Sequence, residues 1–163
     1  KIAADRAAEL DRLAQEDAGG YVHFARIYEG LGHWMQRKDA EGVPWMAGFT
    51  RRAWPERIVW LQDDVTHERF YWLALPAGTA QPGQRIEARI AGNHVHLESD
   101  TAKALSLRLS DELLDLDQPV TVHVGDQQLH AAILSRTARA LWLSLRERAD
   151  PTTAASAHLD LRW

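Results

Sequence analysis

Ile86-Glu87-Ala88-Arg89-Ile90-Ala91-Gly92-Asn93-His94-Val95-His96-Leu97-Glu98 is the stretch that decides the fold. Ile86, Ala88 and Ile90 alternate with Glu87 and Arg89; beyond Gly92-Asn93, Val95 and Leu97 alternate with His94, His96 and Glu98. Successive side chains of a strand point to opposite faces, so each run has one apolar and one polar side. Gly-Asn between them tolerates the positive φ that a two-residue hairpin turn requires. The stretch predicts an antiparallel hairpin lying with one face on a core.

The same period continues outward. Leu105, Leu107 and Leu109 predict a half-buried strand. Val120, Val122 and Val124 turn at Gly125-Asp126 into Leu129, Ala131 and Ile133, and Leu159, Leu161 and Trp163 predict a last strand. Upstream, Arg57–Gln62 and Arg69–Leu75 are apolar on both faces and predict neighbouring central strands with Trp60 and Trp72 in the core. The turn-forming run Asp63-Asp64-Val65-Thr66-His67 joins them. One helix comes late, through Ala138, Leu141, Trp142, Leu145 and Ala149, with Ser135 as its cap and Asp150-Pro151 as its stop. Residues 53–163 therefore predict an antiparallel β-sandwich of the Ig/fibronectin-III-like kind carrying one helix. The chain as a whole is of the α+β class, mainly β.

The chain has 163 residues, 45% of them apolar and 26% charged, with 19 basic against 23 acidic side chains and a net charge of −4. This is an ordinary globular composition, large enough for one real core. No long basic cluster marks a nucleic-acid partner. No apolar run reaches the length of a membrane span. The absence of cysteine removes disulfides, thiolate metal sites and cysteine catalysis, but selects no compartment. The first residue is Lys1 rather than methionine, which fits a piece of something longer and leaves localisation unknown.

Residues 1–52 read differently. Ala3, Ala7, Leu10 and Ala14 make a narrow apolar stripe on a helix over 3–17 that stops at Gly19-Gly20. Val22 to Tyr28 predicts a strand buried between layers, followed by Tyr28-Glu29-Gly30-Leu31-Gly32-His33-Trp34-Met35. Gly30 and Gly32 bracket a turn that calls for positive φ or close backbone approach. A short helix then runs from Gln36 to Gly42. One strand with one helix cannot satisfy its own backbone donors and acceptors. The strand is expected to pair with the β-domain, with a second copy in a dimer through this orphan strand, or with a sheet outside this sequence.

His33, on a loop at the exit of that strand, is the first candidate for acid–base chemistry, because a strand fixes the position of the loop it feeds. The plainer alternative is a histidine that caps a glycine-bounded turn. Trp34 and Met35, with Trp45 and Met46, are candidates for the wall of a substrate pocket; filling the space between domains is the reading these residues favour.

Phe24-Ala25-Arg26-Ile27-Tyr28-Glu29-Gly30-Leu31-Gly32-His33-Trp34-Met35, together with Pro44-Trp45-Met46, Asp63-Asp64-Val65-Thr66-His67 and Phe70-Tyr71-Trp72, resembles the tail of large bacterial α/β-hydrolases of the esterase and dienelactone-hydrolase-like group. In that fold the triad runs serine, acid, histidine, with the histidine after the last strand. The resemblance implies that residues 1–52 are the C-terminal tail of a hydrolase domain, a helix–strand–His-loop fragment of its sheet. It implies His33 as general base, a small ester or peptide as substrate, and the N-terminal part of the hydrolase domain as partner. Gly-x-Ser-x-Gly is absent here, so the nucleophile and the acid would both lie upstream of Lys1.

No cofactor is implied, and no metal. Asp63, Asp64 and His67 match no strong ligand spacing and are read as a turn. In the second hairpin, pairing about Gly125-Asp126 sets His123 opposite Gln128 with His130 as its diagonal neighbour. These two imidazoles fall on the polar face, where histidines commonly stand in water. Two functions from different classes remain: the C-terminal portion of a serine hydrolase, inactive by itself, or a non-catalytic β-sandwich that binds a partner.

Overall fold

The structure, a computed structural model, describes residues 2–16 and 22–163. It divides into two compact units, Lys1–Arg51 and Arg52–Trp163.

In the first unit, α1 spans Ile2–Glu16, where a helix is predicted. Arg12 reaches Glu9 and Glu16 at 2.6 and 2.5 Å, pairs at helical spacing that steady an exposed helix slightly. Gly19-Gly20, the expected stop, lie outside the described residues. No strand forms over 22–28; the segment is irregular. A strand needs a neighbour to take its backbone groups, and the described residues of this unit contain no other strand. Side chains hold the segment instead. Phe24 stacks on Trp45 with ring centroids 5.4 Å apart, and Arg26 and Tyr28 both reach the carboxylate of Glu41. Met35–Glu41 holds 3-10 turns broken by a kink at Gln36 and Arg37, whose backbones are not helical, and α2 spans Gly42–Ala47. No described residue of this unit is buried.

The second unit holds β1 (Arg57–Leu61), β2 (Arg69–Phe70), β3 (Leu73–Ala74), β4 (Arg85–Ala91), β5 (His94–Ser99), β6 (Ala104–Leu109), β7 (Val120–Val124), β8 (Gln127–Ala132), α3 (Ala138–Arg148) and β9 (Ala157–Arg162). They make a five-stranded sheet in the order β1-β4-β5-β7-β8 and a four-stranded sheet in the order β2-β3-β6-β9. The chain is thus α+β, with two mostly antiparallel sheets. Inward-facing side chains of both enter one apolar cluster. It includes Ile58 and Trp60 of β1, Ile86 and Ala88 of β4, Val95 and Leu97 of β5, and Leu105, Leu107 and Leu109 of β6. The Gly92-Asn93 hairpin forms with Ala91 opposite His94, and only Gly92 takes positive φ, at 58°.

Four expectations are corrected. β1 is an edge strand, not a central one: Ile58 and Trp60 are buried, while Val59 and Leu61 face outward at 43% and 64% exposure. The run 69–75 is not one strand, because Tyr71 adopts φ 51° and breaks it into β2 and β3. Trp72 sits in that turn, in the core, and its indole N–H donates to Pro55 O at 2.8 Å. β5 and β7 pair in parallel, since the chain leaves for the other sheet as β6 before returning. Finally, α3 is capped by Thr137, whose hydroxyl accepts from Ala140 N–H at 3.0 Å, and not by Ser135. It buries Ala140 and Ser144 and leaves Leu141 and Trp142 exposed; the Ser144 hydroxyl joins it to the loop before β9, donating to Thr153 O and accepting from Ala155 N–H.

Leu107 is fully buried and Leu61 is mostly exposed. In urea unfolding of the full chain, Leu107→Ala is expected to cost about 2–5 kcal/mol, the range for emptying a buried leucine site. Leu61→Ala is expected to stay within about 0.5 kcal/mol, as surface changes do.

Candidate functional site

The His33 loop is built by its flanks. Tyr28, before it, donates to the Glu41 carboxylate and to Lys38 O, and Arg26 reaches the same carboxylate at 2.5 Å, so the loop base is closed by groups on both sides of it. Gly30 has φ 70°, a left-handed conformation that glycine adopts without steric cost. Gly32 does not share it, and a Cβ at either position meets nothing within 4 Å. The turn therefore needs one glycine for its dihedral angle and neither for close approach. Gly32 O accepts from Met35 N–H at 2.9 Å, and Trp34 O from Arg37 N–H at 3.0 Å.

Beyond the histidine, Met35, Gln36 and Arg37 take φ of 45°, 51° and 65° in succession. Left-handed non-glycine residues are sterically costly, and such outliers gather at functional loops. His33 itself is exposed; its ring lies 5.2 Å from that of Trp34, edge to face at 81°. Among the described residues no carboxylate or hydroxyl bonds the imidazole. Trp34 is 83% exposed, while Met35 is half-buried. The structure thus brings together His33 and Trp34, with no acid or hydroxyl among the described residues bonded to the imidazole.

The sites weighed for metal resolve into local structure. Asp63 accepts from Asp64 N–H and Asp64 from Val65 N–H, both at 2.8 Å. The loop is fastened by Gln62, 3% exposed: its amide accepts from His67 N–H at 2.9 Å and donates to His67 O at 2.6 Å. His123 does stand opposite Gln128, but a bulge sets His130 opposite Val122. The true neighbour of His123 is His96 on the parallel strand, its ring stacked at 5.5 Å. Among the described residues no three histidine, aspartate or glutamate side chains are placed to hold a metal, and no helix is long and apolar enough to cross a membrane.

One polar network of the second unit escaped the sequence reading. On β6 and β9, Arg108 stands opposite His158 and Ser106 opposite Asp160. Arg69 of β2 and Arg108 converge on the two oxygens of Glu147, brought by α3. His158 lies between the Arg108 guanidinium at 2.5 Å and Asp160 at 2.9 Å, and Ser106 donates to Asp160. Burial holds the Arg69 guanidinium below its ordinary value; Glu147 opposes that shift and Arg108 adds to it. Serine, histidine and aspartate meet here, yet the serine bonds the carboxylate and not the imidazole, so nothing activates its hydroxyl. The arrangement fastens α3 to the sheet. The register partners were legible only once the strands were paired.

Comparison with family models, with curated proteins and with solved structures finds no match to this chain.

The network makes two predictions. Glu147→Ala leaves two half-buried guanidinium groups without their carboxylate and is expected to cost about 1–2 kcal/mol in urea unfolding, between the values for an exposed and a buried pair. The hydroxyl of Ser106, first among several groups, holds the Asp160 carboxyl below its ordinary 3.8. A depressed carboxyl contributes stability above its unfolded pKa and loses it as pH falls through the folded one. The cost of Ser106→Ala should therefore be present at neutral pH, begin to fade as pH drops below about 4, and be lost only below the lowered pKa of the folded state.

Proposed function

We propose that this chain is the C-terminal portion of a serine hydrolase that cleaves esters or, as a second preference, peptide bonds. Residues 1–52 complete an α/β-hydrolase domain, and residues 53–163 form an accessory domain of the Ig/fibronectin-III-like sandwich class. One observation carries the reading. The first unit presents a histidine on a shaped loop, yet buries none of its described side chains, and Phe24, Ile27, Trp34, Val43 and Met46 stand exposed in it. Uncovering apolar surface costs about 25 cal/mol per Å², so a unit of this kind is stable when another surface covers it. The rest of a hydrolase domain would cover it, and would give 22–28 the neighbouring strand it lacks.

In that setting His33 acts as general base. Its imidazole takes the proton from the serine hydroxyl as the oxygen attacks the acyl carbonyl, and returns it to the leaving alcohol or amine. The acid that orients the ring and the serine come from the other part of the domain. The left-handed run Met35–Arg37 then serves to aim the histidine, with its strain balanced by packing against that part.

The present chain is accordingly expected to hydrolyse p-nitrophenyl esters no faster than buffer. In the longer protein that contains these residues, a fluorophosphonate probe should label a serine in Gly-x-Ser-x-Gly, and His33→Ala should lower kcat/KM by about 100-fold or more. Turnover that survives His33→Ala, or a longer reading frame without such a serine, overturns the assignment and leaves a non-catalytic β-domain with a partner to bind.

A further inference from the structure

β1 closes one edge of the five-stranded sheet and pairs with β4 alone. Its hydrogen-bond phase can be read from its ends. Glu56 O accepts from Ile90 N–H at 2.8 Å, and Gln62 N–H donates to Gln84 O at 2.9 Å while Gln62 O accepts from Gly83 N–H at 3.0 Å. Bonded and non-bonded positions alternate along an antiparallel ladder. Residues 56, 58, 60 and 62 thus spend their main-chain groups on β4, and the N–H and C=O of Val59 and Leu61 point to the open side.

Exposed edges are normally blunted by short length, charge, proline or a bulge. In this unit β2 has only two residues, β8 is bulged and begins with Gln127 and Gln128, and β9 presents Asp160 and Arg162. β1 has none of these devices at its middle. Val59 and Leu61 stand outward at 43% and 64% exposure, and Val65 on the following loop at 66%.

We propose that β1 joins its counterpart on a second copy of this chain, continuing the sheet across a two-fold axis through Val59. The open groups lie on odd-numbered residues, and a two-fold at Val59 sets odd against odd: Val59 faces Val59 of the other copy, and Leu61 faces Arg57. Each open N–H and C=O of Val59 and Leu61 meets its complement in that register. On the outward face, Val59 packs on its own image and the aliphatic stem of Arg57 covers Leu61. The same register puts the cationic Arg57 of each copy diagonal to the acidic Asp63 of the other, within reach of a long side chain. A contact that repeats by symmetry closes on itself and makes a dimer rather than a filament.

The chain has no cysteine, which makes the register directly testable in the full chain. The Val59 pair would have Cα atoms about 5.5 Å apart, inside the span of about 4.4–6.8 Å that a disulfide bridges. Val59→Cys should oxidise quantitatively to a covalent dimer at low micromolar concentration, while Glu98→Cys on the same face stays monomeric. Sedimentation of the wild type should show twice 18.4 kDa at the upper end of the micromolar range. Val59→Lys should return it to a monomer with an unchanged circular dichroism spectrum and an unfolding midpoint that no longer rises with protein concentration, as that of the wild type should. Phe24→Lys and Ile27→Lys, which test the other apolar segment, should leave the dimer intact. A wild type that stays monomeric, a Val59→Cys chain that crosslinks no better than Glu98→Cys, or a dimer that Phe24→Lys dissolves and Val59→Lys does not would each overturn the proposal.

Discussion

The second unit depends on one seam: Leu105, Leu107 and Leu109 of β6 lie against the inward residues of the opposite sheet, and all three are essentially inaccessible to water. β6 pairs with β3 on one side and β9 on the other, so the strand that carries these three leucines also fixes the register of its sheet. Slipping β6 by one residue would bring Ser106 and Arg108 into the seam and turn the leucines to water. That penalty also sets the outer face. Because the leucines must point in, Ser106 and Arg108 must point out, and pairing with β9 then lines them up with Asp160 and His158. The polar network under α3 is a consequence of the apolar seam, with Glu147 supplied to balance two arginines that the seam had already placed.

Much of this architecture was legible in local sequence, and the parts that were not share a cause. Alternation in 86–98 and 120–124 gives strands and inward faces without any knowledge of neighbours, because each residue's side is decided by its own position in the pleat; in β8 a bulge shifts the register, and Ala131 and Ile133, expected to alternate inward with Leu129, stand exposed. Gly92 and Gly125 mark the turns because only they take positive φ there. Whether a strand is central or at an edge is another matter. Val59 and Leu61 look buried by composition, but they lie on the outward face of the sheet, exposed as His94 and His96 of the central β5 are; no residue within 57–61 encodes that, or the edge position of β1. The parallel pairing of β5 with β7 is equally non-local, since it follows from where β6 goes. Ser144 illustrates a third kind of miss: hydrophobic spacing pointed to Leu141 and Trp142, whereas two hydrogen bonds to the 153–155 loop turned the small polar face inward. Trp142 is instead covered from outside by Arg146, whose guanidinium lies 4.5 Å from its ring centre.

The candidate site was legible in a narrower sense. A glycine with positive φ just before a histidine is a local feature, and Gly30 keeps that role. What surrounds the imidazole is not local, and Gly32, read as a second required glycine, turns out to be free of any such need. The strand expected at 22–28 fails for the same reason that the edge position of β1 was missed. Propensity proposes a strand, and pairing decides it. Phe24, Arg26 and Tyr28 alternate as a strand would, and they use that alternation to reach Trp45 and Glu41 from one side of an unpaired segment.

The contrast between the two units bears on where catalysis could reside. A general base accelerates a reaction when the developing charges sit in a place that water has left, because fixed dipoles are worth far more there than in bulk solvent. His33 stands where water competes for each of its hydrogen bonds, on a unit with no dry interior to lend it. The second unit has such an interior, but its seam is filled by leucine, valine and tryptophan, and no imidazole belongs to that buried cluster. The one way for this histidine to work as a base is for a further surface to close over the loop that carries it, excluding water from the imidazole while covering Phe24, Ile27 and Trp34. Burial of those side chains and assembly of the catalytic group would then be the same event.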